Sequence, residues 1–332
     1  MDANVRAGSH EGLGGNDGAR VPDRAALFVN AKSRRGAEWF ADVRSRLTEG
    51  GVHLTEAKAF TDPRQLCGAV ERIVESGVPL VIVGGGDGTF SAIAHAFARR
   101  ETALGVIPLG TGNAFARDLG IPAQIDAACE TILNGTIARV DMGLIGDRHF
   151  LNVATIGLST KIALGLDDGL KKMLGRAVYF VSLLQALANV QPFHVSLELP
   201  SGKEEFDCLQ LVIGNGRFHA GPFPVAPDAS ITGGWLSIYA LASRKKTHFL
   251  KMALHMRGGK QVNLDEVRSF RVQSGRLSAS PAQRVTVDGE TNAKTPVEFG
   301  IVPGALNVVV PRDFPEKERA IPTAHEGHED KR

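Results

Sequence analysis

Twice in close succession, a run of buried-type aliphatic residues breaks off directly into glycine. The first instance is VIVGGGDGTFSAI (residues 81–93) and the second is IPLGTGNAFARDLG (residues 107–120). A strand that ends in glycines and continues as a helix fits few folds. Glycine permits positive φ and lets backbone N–H groups approach an anion closely, and the helix N-terminus adds partial positive charge. Two such loops at the carboxyl ends of successive parallel strands make a cleft, the place where open α/β sheets bind ligands. A carboxylate at Asp87 is unfavourable beside bare phosphates unless a divalent ion lies between them or the side chain caps the following helix. The loop therefore reads as a phosphate cradle with a cation held near a triphosphate; the plainer reading is a tight strand-to-helix turn capped by Asp87. No GxxxxGK[ST] is present, which excludes a P-loop NTPase. Neither loop completes GxGxxG, because Thr89 and Phe115 occupy the sixth positions, which argues against a Rossmann dehydrogenase.

Around these loops, strand and helix signals alternate. AALFVN (25–30), HLTEAKAF (53–60), LVIVGG (80–85) and LGVIPLG (104–110) read as strands. Helical patterns fall near 37–48, after Thr61 or Asp62 with Pro63 in the first turn, across 89–99, and after the second loop. This alternation implies a parallel sheet with helices on both faces. From about residue 139 the pattern changes to many short strands: ARVDMGLI, RHFLNVATIG, FHVSLELP, FDCLQLVIGN, GWLSIYAL, SFRVQS, QRVTVDG, PVEFGIV and LNVVV. Only two helical stretches interrupt them, near 168–190 and 246–257. The expected fold is an α/β N-terminal domain with a parallel sheet (24–138), followed by a mainly antiparallel, β-sandwich-like second domain (139–312). The last strands can also return to complete the first domain. Residues 1–23 and 313–332 lack apolar periodicity and read as disordered tails.

Lys and Arg number 38 against 36 Asp and Glu, a net charge of +2 that gives no reason to expect a nucleic-acid partner. Cys67, Cys129 and Cys208 are scattered singly, as reduced thiols of a cytoplasmic protein are. No secretion signal opens the chain, and no apolar run approaches the ~18–20 residues that span a bilayer.

Taken in order, FVNAKSRRG (28–36), GGGDGT, PLGTGNAFAR, VDMGLI with FLNVATIGLS, the stretch 213–236 and VTVDGE (285–290) resemble the catalytic domain shared by bacterial diacylglycerol kinases, sphingosine kinases and ceramide kinases. That group is related more distantly to NAD kinases and phosphofructokinases. The resemblance covers nearly all of residues 25–312 and implies a NAD kinase/diacylglycerol kinase-like fold, ATP and Mg²⁺ as cofactors, and a lipid as the acceptor of the γ-phosphoryl group.

It also implies roles for individual residues. Asn30, Lys32, Ser33 and Thr61 would sit at the nucleotide. Gly85, Gly86, Asp87, Gly88 and Thr89 would embrace the phosphates, joined by Gly110, Thr111, Gly112 and Asn113. Asp87 and Asp141 are candidates for the magnesium-linked acidic network. Asp288 and Glu290 would supply the base that accepts the lipid hydroxyl proton, with Glu290 favoured and Asp288 supporting it. Alone, Asp-Gly-Glu is only a hairpin turn. The chain departs from the family pattern at Ala31, Ala92, Ala114 and Gly233; Gly233 replaces an Asp that serves a second, structural magnesium site, so that site is not expected here.

A lipid kinase must touch a bilayer without spanning it. The stretch 169–190 joins Lys171, Lys172 and Arg176 to a long apolar helix. The stretch 243–261 carries Arg244, Lys245, Lys246, Lys251, Arg257 and Lys260 with no acid, interleaved with Phe249, Met252, Leu254 and Met256. Such surfaces suit an anionic membrane, and they equally suit a core-packing helix with a solvated basic face. The expectation is a cytoplasmic protein meeting the inner membrane face peripherally, with ATP and lipid as partners and room for a homodimer. Two rivals stand beside it: a kinase of a soluble metabolite such as NAD, and a nucleotide- or lipid-binding homologue without turnover.

Overall fold

The computed structural model describes residues 19–32, 36–157, 191–218, 226–255 and 264–315. Strand β1 (Ala19–Arg20) comes first, followed by β2 (Arg24–Asn30), α1 (Gly36–Glu49), β3 (His53–Phe60), α2 (Pro63–Glu75), β4 (Leu80–Gly85), α3 (Asp87–Phe97), β5 (Ala103–Pro108), α4 (Ala114–Asp118) and α5 (Ile125–Asn134). Strands β5, β4, β2 and β3 lie side by side in that order, all parallel. Every residue of β4 and β5 is buried, as expected at the centre of a sheet covered on both faces. Helix α2 shows how locally such an element is encoded. The Asp62 carboxylate accepts the Arg64 N–H at 2.9 Å, Pro63 occupies the first turn, and Leu66, Ala69, Val70 and Val74 form the buried stripe.

The second half contains β6 (Thr136–Ile145), β7 (Arg148–Phe150), β8 (Val153–Gly157), β9 (Phe193–Leu199), β10 (Gly202–Cys208), β11 (Gln210–Gly214), β12 (Leu236–Leu241), α6 (Lys246–His255), β13 (Val267–Val272), β14 (Ser274–Ser280), β15 (Arg284–Val287), β16 (Glu290–Lys294) and β17 (Val297–Val310). A six-stranded antiparallel sheet runs β13-β12-β11-β8-β15-β16. Opposite it, β10, β9, β14 and β17 continue the parallel sheet into a single eleven-stranded one. Ile156, Ile213, Ile238 and Val285 from the first of these meet Val195, Leu197, Leu277 and Phe299 from the second in a sandwich core. The expected pairing of a parallel-sheet domain with an antiparallel second domain is thus what the chain adopts.

Several elements differ from the sequence reading: RHFLNVATIG and FDCLQLVIGN, each read as one strand, divide into β7 and β8 and into β10 and β11, and β14 and β16 form where no strand is read. Ala19 and Arg20 fall in the stretch read as a disordered tail, yet they form β1 opposite Ile137 and Thr136. PVEFGIV and LNVVV read as two strands but are one, β17, with a register shift between Val302 and Leu306. Pro303 sits in that irregularity, where no ladder N–H is required of it. Gly304 takes φ +57°, and its N–H donates to Asp141 Oδ1 at 2.7 Å. Beyond the shift, β17 pairs antiparallel with β6 and parallel with β5 at Val308 opposite Leu104, so the chain's late residues close the first sheet.

Val308, Val309 and Val310 are fully buried between these neighbours. A chain ending at Pro303 is expected to lose its cooperative thermal transition. Circular dichroism against the full chain checks this.

Candidate active site

Both glycine loops stand at the carboxyl ends of their strands and touch each other through backbone. Leu109 N–H donates to Gly85 O at 2.8 Å, which carries the β4–β5 ladder into the loops. A Cβ on Gly110 would lie 2.7 Å from Gly86 Cα, so the approach admits no side chain. Asn113 closes the second loop: its Oδ1 accepts Gly110 N–H and its Nδ2 donates to Gly110 O, both at 2.9 Å. Its backbone is left-handed at φ +49°, a conformation that Asn tolerates better than most residues.

Asp87 is the first residue of α3 yet serves another helix. Its Oδ1 accepts N–H bonds from Ala114 at 2.6 Å and Phe115 at 3.4 Å, capping α4 across the cleft between the loops. Burial pushes the Asp87 carboxyl above its ordinary pKa, and these N–H groups together with Arg117 pull it back. Asn30 Nδ2 donates to Thr89 Oγ1 at 2.9 Å, tying the end of β2 to the first turn of α3. Lys32 and Thr61 lie exposed nearby in sequence, after β2 and β3. Thr111 is exposed at the tip of the second loop, and Gly112 O accepts Arg117 Nε at 3.0 Å. Ser33 lies outside the described residues.

Gly88 has no packing reason to be glycine. A Cβ there meets nothing within 4 Å, and its φ is not left-handed. Glycine costs a helix about 1 kcal/mol relative to alanine. A residue left bare inside the first turn, beside a loop of N–H groups, makes a cradle that a Cβ would fill, and this fits phosphate. Among the described residues no group of three or more His, Cys, Asp or Glu gathers as a metal cage. Mg²⁺ beside phosphates needs only about one or two carboxylates, and Asp87 stands at this cradle.

Across from the loops, the late motif forms a two-residue hairpin between β15 and β16. Asp288 and Gly289 take φ +46° and +92°, the two left-handed positions of a type I′ turn. Half of the turn is withdrawn from solvent: Asp288 is buried, while Gly289 and Glu290 are exposed. Asp288 Oδ2 accepts Leu151 N–H at 2.8 Å, and Oδ1 accepts Asn152 and Val153 N–H at 3.0 Å each. Burial raises the Asp288 carboxyl, the three N–H groups lower it, and the charge of Asp87 raises it slightly again. Glu290 points elsewhere: Arg148 donates to its Oε2 at 2.9 Å, and its side chain is half exposed. Residues 148–153 therefore hold both carboxylates of the motif.

Asp141 is fully buried, with Oδ1 on Gly304 N–H and Oδ2 on Gly234 N–H at 2.6 Å. It brackets the β17 irregularity to the turn before β12. At Gly233 a Cβ would meet the Trp235 ring at 2.9 Å, so the position offers neither a carboxylate nor easy room for one. A pair the sequence reading did not single out joins the halves: buried Asp118 at the end of α4 accepts Arg217 N–H, Arg217 Nε and Phe218 N–H. Arg148 was missed likewise. Neither carries a local signal, because each partner lies a hundred or so positions away in sequence.

Of the two stretches read as membrane-facing, 169–190 lies outside the described residues. In the other, Phe249 and Met252 are buried, Lys251 pairs with Glu266 at 3.2 Å and Arg244 with Asp207 at 3.3 Å. Phe249 and Met252 of α6 pack inward while Lys251 and Arg244 stay at the surface, which favours the core-packing reading with a solvated basic face; Met256, Arg257 and Lys260 lie outside the described residues. No helix among the described residues is long and apolar enough to cross a membrane.

With this geometry in hand, comparison with known proteins is direct. Residues 24–145 match the diacylglycerol kinase catalytic domain, and residues 153–310 match the YegS C-terminal NAD kinase beta sandwich-like domain. A "probable lipid kinase YegS-like" protein of Pseudomonas aeruginosa is 32% identical over 299 residues, covering 88% of this chain and 96% of that protein. The diacylglycerol kinase of Bacillus subtilis is 26% identical, covering 89% and 98%. The crystal structure of a diacylglycerol kinase from Bacillus anthracis superimposes with a TM-score of 0.72 at 24% identity, covering 87% of this chain and 97% of that one, and shares the fold.

The two glycine positions make opposite predictions. Gly110→Ala should lower stability by about 1–3 kcal/mol through the clash with Gly86. Gly88→Ala should leave stability unchanged or raise it by up to about 1 kcal/mol, while weakening ATP binding. Chemical denaturation and nucleotide titration of the two variants check this.

Proposed function

Because the chain belongs to the YegS-like lipid kinase family, built on a diacylglycerol kinase catalytic domain, we propose that it transfers the γ-phosphoryl group of ATP, with Mg²⁺, to a hydroxyl of a diacylglycerol-like or sphingoid lipid. The observation that carries this reading is the meeting of two motifs far apart in sequence. Asp87 of the glycine cradle caps α4, Asp118 at the end of α4 accepts Arg217 N–H, and the neighbouring Gly216 donates to Asn152 O, whose own N–H holds Asp288 in the hairpin that presents Glu290. Phosphoryl transfer needs little covalent chemistry from the protein, so positioning and charge neutralisation supply most of the catalysis.

In this reading the N–H groups of the first loop and of the second hold the phosphates, and bare Gly88 lets them approach. Mg²⁺, when bound, neutralises charge on the phosphate oxygens, and Asp87 would hold it. Asp288 and Glu290 divide their work. Three backbone N–H groups occupy Asp288, which makes it the anchor of the hairpin. Glu290 reaches outward and takes the proton from the acceptor hydroxyl at a carboxylate oxygen. Arg148 positions it: an ion pair this exposed adds only about 0–1 kcal/mol of stability, so its contribution lies in the aim of the carboxylate. Asp141, bound at both oxygens by backbone, holds the sheet joint together.

The test is transfer from γ-labelled ATP in mixed micelles of diacylglycerol, monoacylglycerol, sphingosine, ceramide or a polyprenol, with NAD as a soluble control. Label is expected in a lipid. Glu290→Gln should lower kcat by about 10²–10⁴-fold with the fold intact, and Asp87→Asn should abolish transfer. Label in NAD alone, or full activity in Asp87→Asn, would overturn the reading. Arg148→Met is expected to lower kcat while leaving the KM for ATP and the melting temperature near those of the parent, which steady-state kinetics and thermal denaturation check.

A further inference from the structure

Below the phosphate end of α3, a cleft of about 310 Å³ opens between this helix and the β6–β7 hairpin, lined by Ser91, Ala92, His95, Asp147, Arg148 and His149. We propose that His95 and His149 form a binding site in this cleft for a divalent transition metal, Zn²⁺ above all, distinct from any Mg²⁺ at the glycine loops.

The two rings come from different elements and turn the same nitrogen toward each other. Nδ1 of His95 and Nδ1 of His149 are 3.2 Å apart, with ring planes tilted by 48°. For a single N–H···N hydrogen bond that separation is at the long end of the ordinary range of about 2.7–3.2 Å. For two imidazoles sharing one ion the gap between the nitrogens is suitable, and at a centroid separation of 5.4 Å the rings need only pivot by a few tenths of an ångström to converge on it. Zn–N bonds of about 2.0–2.1 Å spanning this gap subtend an angle of roughly 103°, near the tetrahedral value.

A second observation points to a ligand at the same place. Ser91 lies one turn before His95 on the same face of α3 and lines the cleft; it is only 5% exposed, and its Oγ has no hydrogen-bond partner. That oxygen is closed to bulk water as it stands, and a turn of the side chain into the cleft would pair it with a water bound to an ion between the histidines. Asp147, on the hairpin rim, offers a carboxylate to a further water. Imidazole nitrogen selects Zn²⁺, Cu²⁺ or Ni²⁺ over Mg²⁺, which prefers oxygen. With two protein donors the site leaves coordination positions open and binds exchangeably. An ion here would fasten α3, which begins at the phosphate cradle, to the hairpin whose Arg148 holds Glu290.

The test is titration of the full chain, freed of metal by chelation, with Zn²⁺ and with Co²⁺, followed by calorimetry and by Co²⁺ absorption. One equivalent is expected to bind. His95→Gln and His149→Gln should each weaken it by roughly 10–100-fold or more. The double variant His325→Gln/His328→Gln should bind as the parent does, which separates the cleft from the C-terminal histidines. In the unsubstituted chain, Co²⁺ should shift or broaden the imidazole proton resonances of His95 and His149, a readout that needs no variant to fold. Metal binding unchanged in both single variants, binding lost only in the tail variant, or no binding below millimolar metal would each overturn the proposal.

Discussion

One buried carboxylate organises the candidate site. Taking Asp288 out of water without partners would be costly by several kcal/mol, and a charge-assisted hydrogen bond returns about 1.5–3 kcal/mol. Three backbone N–H groups from consecutive residues 151–153 meet that need and leave the hairpin a single orientation. Everything that follows in the β15–β16 turn inherits this fixed frame. The left-handed backbone at Asp288 and Gly289 turns the chain sharply enough for Glu290 to emerge beside Arg148. The same segment thus distinguishes two neighbouring acids, enclosing one and displaying the other.

How much of this was legible in the sequence depends on distance along the chain. The glycine loops, the Asp62 cap and the four parallel strands are local patterns, and each appears where periodicity and turn chemistry place it. Strand β17 was split in the reading because Pro303 and Gly304 ordinarily end a strand. Asp141, a hundred and sixty-three positions earlier, holds that irregularity in the sheet. Asp87 presents a subtler case. Its place in Gly-Gly-Asp-Gly-Thr suggests either a metal ligand or a cap for its own helix, but the helix it caps belongs to the other loop. Arg148 and Arg217 were invisible for the same reason: an exposed basic residue in a hairpin or loop carries no mark of a partner that only the fold brings near.

The two glycine loops also show that identical residues can serve opposed ends. Gly110 is demanded by the protein, since its backbone lies against Gly86 and a methyl group has no room. Gly88 is permitted by the protein and demanded, if at all, by what binds. Sequence shows both as the same letter in the same kind of motif. Only the surroundings of the absent Cβ separate a packing constraint from a recognition constraint.

The continuity of the large sheet bears on how such a molecule can move. Many two-domain proteins close around a ligand by swinging on a flexible linker. Here β17 runs from the sandwich into the parallel sheet as one strand, paired with β6 on both sides of a single register shift, and ends beside β5. No hinge loop lies along that joint, so any closure over a ligand must be elastic. The softest place for it is the irregularity at Pro303–Gly304, where the ladder is already interrupted and the Asp141 bracket supplies a spring. A strand shared by both sheets ties the frame of the Asp-Gly-Glu hairpin to that of the glycine loops, so a shift on one side of the joint is resisted by the pairing on the other.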